Sequence, residues 1–171
     1  MFGNKNKSNS GFTLIELLVV VAIIALLSSI ALIALVQARQ KSRDAKRLGD
    51  LVQMNTGMEL YFSTNKGYPS STNGLPQGMT PQFLASLPTS PSPADGACSA
   101  LTHAVGSCGG ANQPPCGVPA NTYYYIPVGL TYKAPDNITD VYPDYAYYFC
   151  LGQDVNNIKA GEHVLTPKGI R

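Results

Sequence analysis

The chain of 171 residues is poor in the groups that enzymes use: two histidines, His103 and His163, no serine framed by glycines in a nucleophile elbow, and no carboxylate placed by a catalytic motif. Nothing in it supports catalysis, and the expectation is a protein that is not an enzyme. Charge is also scarce, with Asp, Glu, Lys and Arg together making up 13% of the residues. From Lys66 onward five basic residues stand against six acidic ones, so that region has no surplus positive charge for non-specific contact with nucleic acid. Between Phe12 and Tyr68 there is no proline, which leaves a helix uninterrupted over that length. The cysteines lack a paired C-x-x-C spacing, so Cys98, His103, Cys108 and Cys116 make a poor zinc site, and disulfides are the favoured use of the thiols.

What the chain does have is a long apolar run. Residues 12–36 carry one charge, Glu16, in 25 positions. At about 1.5 Å per residue such a helix reaches roughly 37 Å, enough to cross a hydrocarbon core of about 30 Å with some tilt. A carboxylate at that depth costs a few kcal/mol and calls for a partner or a function. The plain alternative is a membrane anchor that tolerates one Glu near its wet edge. A secretory signal peptide would place its small-residue cleavage site after the apolar run, whereas here Gly11 stands before it, behind a polar segment with Lys5 and Lys7 and no apolar core of its own.

The succession Gly11, Phe12, Thr13, Leu14, Ile15, Glu16 ahead of a long apolar helix resembles the class III leader of type IV pilins and pseudopilins. The resemblance implies cleavage by a prepilin peptidase between Gly11 and Phe12 and N-methylation of Phe12. It further implies delivery to an inner-membrane assembly platform and self-assembly into a helical filament. In that setting the carboxylate of Glu16 would meet the N-terminal amine of an adjacent Phe12, as buried charges require. Loss of Lys5 and Lys7 with residues 1–11 would leave ten basic and ten acidic residues, a net charge near zero. The order of a helix ending in E-L-Y-F, then G-Y-P, then F-L-A-S-L-P is also similar to the major pseudopilins of type II secretion.

Beyond Val36 the helical pattern continues, with Leu48, Leu51, Met54, Met58, Tyr61 and Phe62 on one face. Asn55 interrupts this stripe, and Gly49 and Gly57 each cost about 1 kcal/mol relative to Ala. Gly67 with Pro69 supplies the stop. The cluster Arg39, Lys41, Arg43, Lys46 and Arg47, with Asp44 as its only acid, reads equally as a solvated face or as a contact for membrane lipid headgroups and neighbouring subunits. Its position would favour a cytoplasmic location for that flank by the positive-inside rule, against the leader and the cysteines, which argue for a head outside the cytoplasmic membrane. The latter two are given precedence.

A Gly-, Pro- and Ser-rich connector with one turn of helix follows, and then Ala94 to Gly117, a stretch with few large apolar groups that needs disulfides to order it. Four cysteines allow three pairings. Cys98 with Cys108 and Cys116 with Cys150 is the expected one, because it closes a short loop and ties it to a strand. Runs T-Y-Y-Y-I-P, G-L-T-Y-K and Y-A-Y-Y-F-C-L, with a short strand at His163 to Leu165, predict an antiparallel sheet. Eight of the ten tyrosines fall between Tyr123 and Tyr148, and alternation between core and surface is favoured over an adhesive or base-stacking face. The major pseudopilins are known for calcium in the head, and Asp136, Asp140 and Asp144 are weak candidates whose spacing matches no calcium loop. No other cofactor is expected.

The expected fold is therefore α+β: a leader at 1–11, a membrane and filament-core helix at 12–36, its amphipathic continuation at 37–65 and a head at 66–171 containing a small antiparallel sheet. The expected function is that of a structural subunit of a type IV pilus or related filament. The major pseudopilin of a type II secretion system is the alternative within that class, followed by a minor pilin at the tip. A membrane-anchored exported binding domain or enzyme is the rival from another class. The precursor would reside in the cytoplasmic membrane with its head outside, then in an extracellular pilus or an envelope pseudopilus.

Overall fold

The computed structural model describes residues 11–99, 113–115, 117–119, 121–136 and 138–171. Helix α1 runs Leu14–Asn65, followed by β1 (Tyr68–Pro69), β2 (Ser71–Thr72), β3 (Leu75–Pro76), a 3-10 turn at Gly96–Cys98, and β4 (Tyr124–Val128). Then come β5 (Tyr132–Lys133), β6 (Asp140–Tyr142), β7 (Asp144–Leu151), β8 (Gly161–Thr166) and β9 (Gly169–Ile170). The architecture is α+β, and every strand pairing is antiparallel. The chain divides after Ala38 into two units, and each is described by itself.

The first unit holds the apolar run. Every large apolar side chain from Phe12 to Val36 is 46–86% exposed, so among the described residues this segment has no core of its own. It is long and apolar enough to cross a membrane.

The second unit, residues 39–171, has a complete core. Its main sheet has the order β4-β7-β8-β9, and β7, one of its two inner strands, is buried at every residue after Asp144. One face of this sheet receives the predicted helical stripe: Leu51, Met54, Met58 and Tyr61 are buried against Tyr125, Tyr145, Tyr147, Phe149 and Leu165, with Leu48 and Phe62 packed at the margin. The other face is a smaller cluster of Ile126, Ala146 and Tyr148. The strict alternation of β7 explains how one Tyr-rich run serves both faces.

Tyrosine hydroxyls also solve the helix's polar interruptions. Tyr145 donates to Asn55 Oδ1 at 2.9 Å, Tyr123 to Asp50 Oδ2 at 2.9 Å, and Tyr68 to Glu59 Oε1 at 3.0 Å. Tyr125 donates to the Pro69 carbonyl at 2.7 Å. Asn55, which breaks the apolar pattern in sequence, is thus an acceptor for the phenol of buried Tyr145 rather than a flaw in the helix.

Gly57 has a steric reason. A Cβ there would lie 2.7 Å from Cγ of Leu84, whereas one at Gly49 would meet nothing within 4 Å. The connector contributes Leu84 through a single turn, in which the amides of Phe83 and Leu84 donate to the Met79 carbonyl at 2.9 and 3.0 Å.

The disulfide expectation is corrected. Cys98 bonds to Cys150 across 52 residues, with Cα atoms 5.8 Å apart, so neither the Cys98–Cys108 nor the Cys116–Cys150 pairing forms. A sequence preference for short loops fails here because the 3-10 turn folds back onto the end of β7: Ala97 N–H donates to the Gly152 carbonyl at 3.1 Å. Gly96 makes that approach possible at φ +52°, where a Cβ would sit 2.0 Å from the Gly152 oxygen. A bridge closing a loop of this length contributes about 4 kcal/mol in the chain-entropy model. Cys108, Cys116 and His103 lie outside the described residues.

Two predictions follow from this packing. Gly57→Ala lowers stability by about 1–3 kcal/mol by overpacking against Leu84 despite its better helix propensity, while Gly49→Ala is neutral or stabilising by up to about 1 kcal/mol. Denaturant unfolding of the two full-length variants in micelles checks the difference in sign. Burial pushes the phenols of Tyr123, Tyr125, Tyr145 and Tyr147 far above their ordinary value, helped at Tyr123 by its hydrogen bond to Asp50. Only the unfolded chain ionises them near pH 10, so their contribution is complete below about pH 10 and is lost as pH rises beyond it. A titration at 295 nm should show these phenolates appearing together with loss of the fold, not before it.

Candidate functional site

Two places concentrate chemistry: the start of α1 in the first unit and a buried charge cluster in the second. At the first, Gly11, Phe12 and Thr13 are exposed and precede the helix. The Gly11–Phe12 peptide bond therefore lies in exposed, non-helical backbone. Glu16 occupies the first turn of α1. Thr13 N–H donates to Glu16 Oε2 at 2.8 Å and Thr13 Oγ1 donates to the same oxygen at 2.7 Å, while Glu16 N–H donates back to Thr13 Oγ1 at 3.3 Å. This is a reciprocal capping box, and it places a carboxylate where the helix dipole favours one.

Glu16 is thus not stranded within its own chain. Thr13 supplies its hydrogen bonds; what Thr13 cannot supply is a positive charge. Cleavage after Gly11 would leave the box intact, because the amide of Thr13 is not the one that becomes an amine. Glu16 shares its helix face with Phe12, Ile15, Val19 and Val20, an apolar surface with one anionic point. The T-x-x-E spacing before an apolar run was the signal for this cap, and a reading centred on Glu16 alone passes over it.

The second place resolves the basic cluster into two sets. Arg47 and Asp44 are fully buried, with Arg47 Nη1 2.6 Å from Asp44 Oδ1. Arg47 Nη2 reaches Asp95 Oδ1 at 3.2 Å and Asn121 Oδ1 at 2.6 Å, and Arg43 Nε donates to Asp95 Oδ2 at 2.6 Å. Asp44 also accepts the amides of Gly152 at 2.8 Å and Gln153 at 3.0 Å. Two arginines and two aspartates thus join α1 to the Cys98–Cys150 corner and to the end of β7. Among the described residues, Arg47 Nε alone of the buried side-chain N and O atoms has no hydrogen-bond partner. The solvated-face reading therefore fails for Arg43, Asp44 and Arg47. Arg39, Lys41 and Lys46 remain exposed.

The other candidates are dispersed. Asp136 caps a turn, accepting the Thr139 hydroxyl at Oδ2, 2.5 Å away, and the amides of Ile138 and Thr139 at Oδ1, each at 2.9 Å, and these bonds hold its carboxyl below the usual range. Asp140 pairs with Lys133 at 2.6 Å, and Asp144 accepts the Tyr145 amide at 2.7 Å. Among the described residues no group of three or more His, Cys, Asp or Glu side chains is gathered. Cys98, in its disulfide, has no thiolate to offer a metal. His163 Nε2 sits 2.7 Å from the Lys159 carbonyl.

A capped carboxylate at the start of an unburied apolar helix, joined in sequence to a small α+β head, gives the chain a pilin-like architecture. A family model for the prokaryotic N-terminal methylation motif matches residues 6–32. The chain is 32% identical over 89 residues to type II secretion system core protein G of Vibrio cholerae, covering 52% of this chain and 57% of the relative. It is 30% identical over 95 residues to type II secretion system core protein G of Pectobacterium carotovorum, covering 56% and 60%. The match thus spans between half and three fifths of these relatives' length. No solved structure matches. The chain is thus similar to the type IV pilin and major pseudopilin family in its N-terminal motif and over about half of its length.

Removing one member of a buried ion cluster strands its partners. Arg47→Ala should destabilise the protein by about 3–5 kcal/mol, whereas Arg43→Ala, at a partly exposed position, should cost no more than about 1 kcal/mol. Urea unfolding of the full-length variants measures both.

Proposed function

We propose that the chain is a structural subunit of a type IV pilus or related filament. The observation that carries this reading is the segment 12–36, apolar, 46–86% exposed at its large side chains, and attached to a head whose core is already complete without it. In the cytoplasmic membrane, lipid covers that surface. In a filament, other copies do. A prepilin peptidase would cut after Gly11 and methylate Phe12, and an inner-membrane platform would extract the subunit. Glu16, already oriented by Thr13, would accept the Phe12 amine of an adjacent copy, which supplies the charge its own cap lacks. The head would lie outside the membrane, where the Cys98–Cys150 bond can persist. Calcium in the head is not needed by this mechanism.

Similarity to the two core G proteins favours a second reading, the major pseudopilin of a type II secretion system. Filaments sheared from the cell surface distinguish a pilus from an internal pseudopilus.

Glu16→Ala should insert and be cleaved normally while filaments disappear. Wild-type filament yield from that variant would sink the assembly role. Intact mass of the chain from cell envelopes tests processing: a start at methylated Phe12 is expected, and a start at Met1 in every fraction would leave only a membrane-anchored head.

A further inference from the structure

Folding separates the five cations between Arg39 and Arg47 into neutralised and free sets. Arg43 and Arg47 are matched by Asp44 and Asp95. Arg39, Lys41 and Lys46 point to solvent, and among the described residues none pairs with them. We propose that Arg39, Lys41 and Lys46 form a collar that binds the phosphates of anionic lipids around the helix where it leaves the membrane. The proposal rests on the reading that residues 12–36 span a bilayer.

Three observations favour lipid over a second copy of the chain. At 3.6 residues per turn Arg39 and Lys46 share one side of α1, while Lys41 projects from nearly the opposite side, roughly 150° away. Neither one neighbouring subunit nor a single phosphate ion could meet all three, but headgroups surround an emerging helix. The positions also suit the surface. They follow Val36 by three, five and ten residues, about 5, 8 and 15 Å of helical rise, and helical side chains lean toward the N-terminus, here toward the apolar run. Lys46 can reach back as a snorkelling lysine does.

The third observation concerns the carboxylates. All ten already have partners inside the chain: Glu16 with Thr13, Asp44 and Asp95 with arginines, Asp50 and Glu59 with tyrosines, Asp140 and Asp154 with lysines, Asp136 and Asp144 with backbone amides, and Glu162 with a contact of its own. Apart from Glu16, whose missing countercharge lies at the other end of the apolar run, a second copy thus presents no carboxylate without a partner.

The test reconstitutes the full-length chain in phosphatidylcholine vesicles containing about one fifth phosphatidylglycerol and measures spin-labelled lipid at the protein boundary, each cation being worth about fivefold in local preference for the anionic headgroup. Wild type should hold phosphatidylglycerol severalfold over phosphatidylcholine, with the preference reduced in 1 M salt because the charges lie at the surface. The triple variant Arg39→Gln, Lys41→Gln, Lys46→Gln should lose it, and the single variant Arg39→Lys should keep it. Equal preference in wild type and triple variant would overturn the proposal, as would loss of filaments by the triple variant with its lipid preference unchanged, which would assign these cations to a second copy. A chain stripped from the vesicles by alkaline carbonate would overturn the membrane reading itself, and this proposal with it.

Discussion

Asp44 and Arg47 are one turn apart on α1, both without contact to water, and much of the head is arranged so that neither is left alone. A buried carboxylate needs its lone pairs filled and a buried guanidinium needs anions around its fork. Asp44 is satisfied by Arg47 and by the amides of Gly152 and Gln153, which begin the turn after β7. Arg47 in turn requires Asp95 and Asn121. Asp95 stands next to the 3-10 turn that the Cys98–Cys150 bridge holds against Gly152. The ion cluster and the disulfide therefore constrain the same corner, one by charge and the other covalently. Replacing the cluster with apolar groups could cost little stability; what it supplies is a unique seat for the loop on the helix.

The rest of the helix-to-sheet contact relies on tyrosine. A phenol contributes apolar area to the core and delivers its hydroxyl to whatever polar atom lies at the edge. This lets α1 carry Asp50, Asn55 and Glu59 along a packed face. The head thereby tolerates a helix that is only partly amphipathic, and the same hydroxyls fix which residue of the helix faces which strand.

Against this finished core the first unit is chemically incomplete. Among the described residues its apolar side chains have no partner, and its one carboxylate has hydrogen bonds without a countercharge. In lipid the first deficiency vanishes and the second persists. In a bundle of copies both can be met.

The apolar run with its one Glu16, the helix with its buried stripe and the aromatic strands were all determined by local sequence, because periodicity, composition and short motifs act over one or a few turns of backbone. The Thr13–Glu16 cap was equally local, and T-x-x-E was there to be read. Tertiary structure alone decided the partner of Cys98, the burial of Asp44 and Arg47, the purpose of Asn55 and Gly57, and the division of five cations into matched and free. Each of these depends on residues 27 to 108 positions away meeting at one point: Asp95 at Arg47, Leu84 at Gly57, Cys150 at Cys98, Gly152 at Asp44. No periodicity encodes such meetings, since they follow from where the whole chain closes on itself.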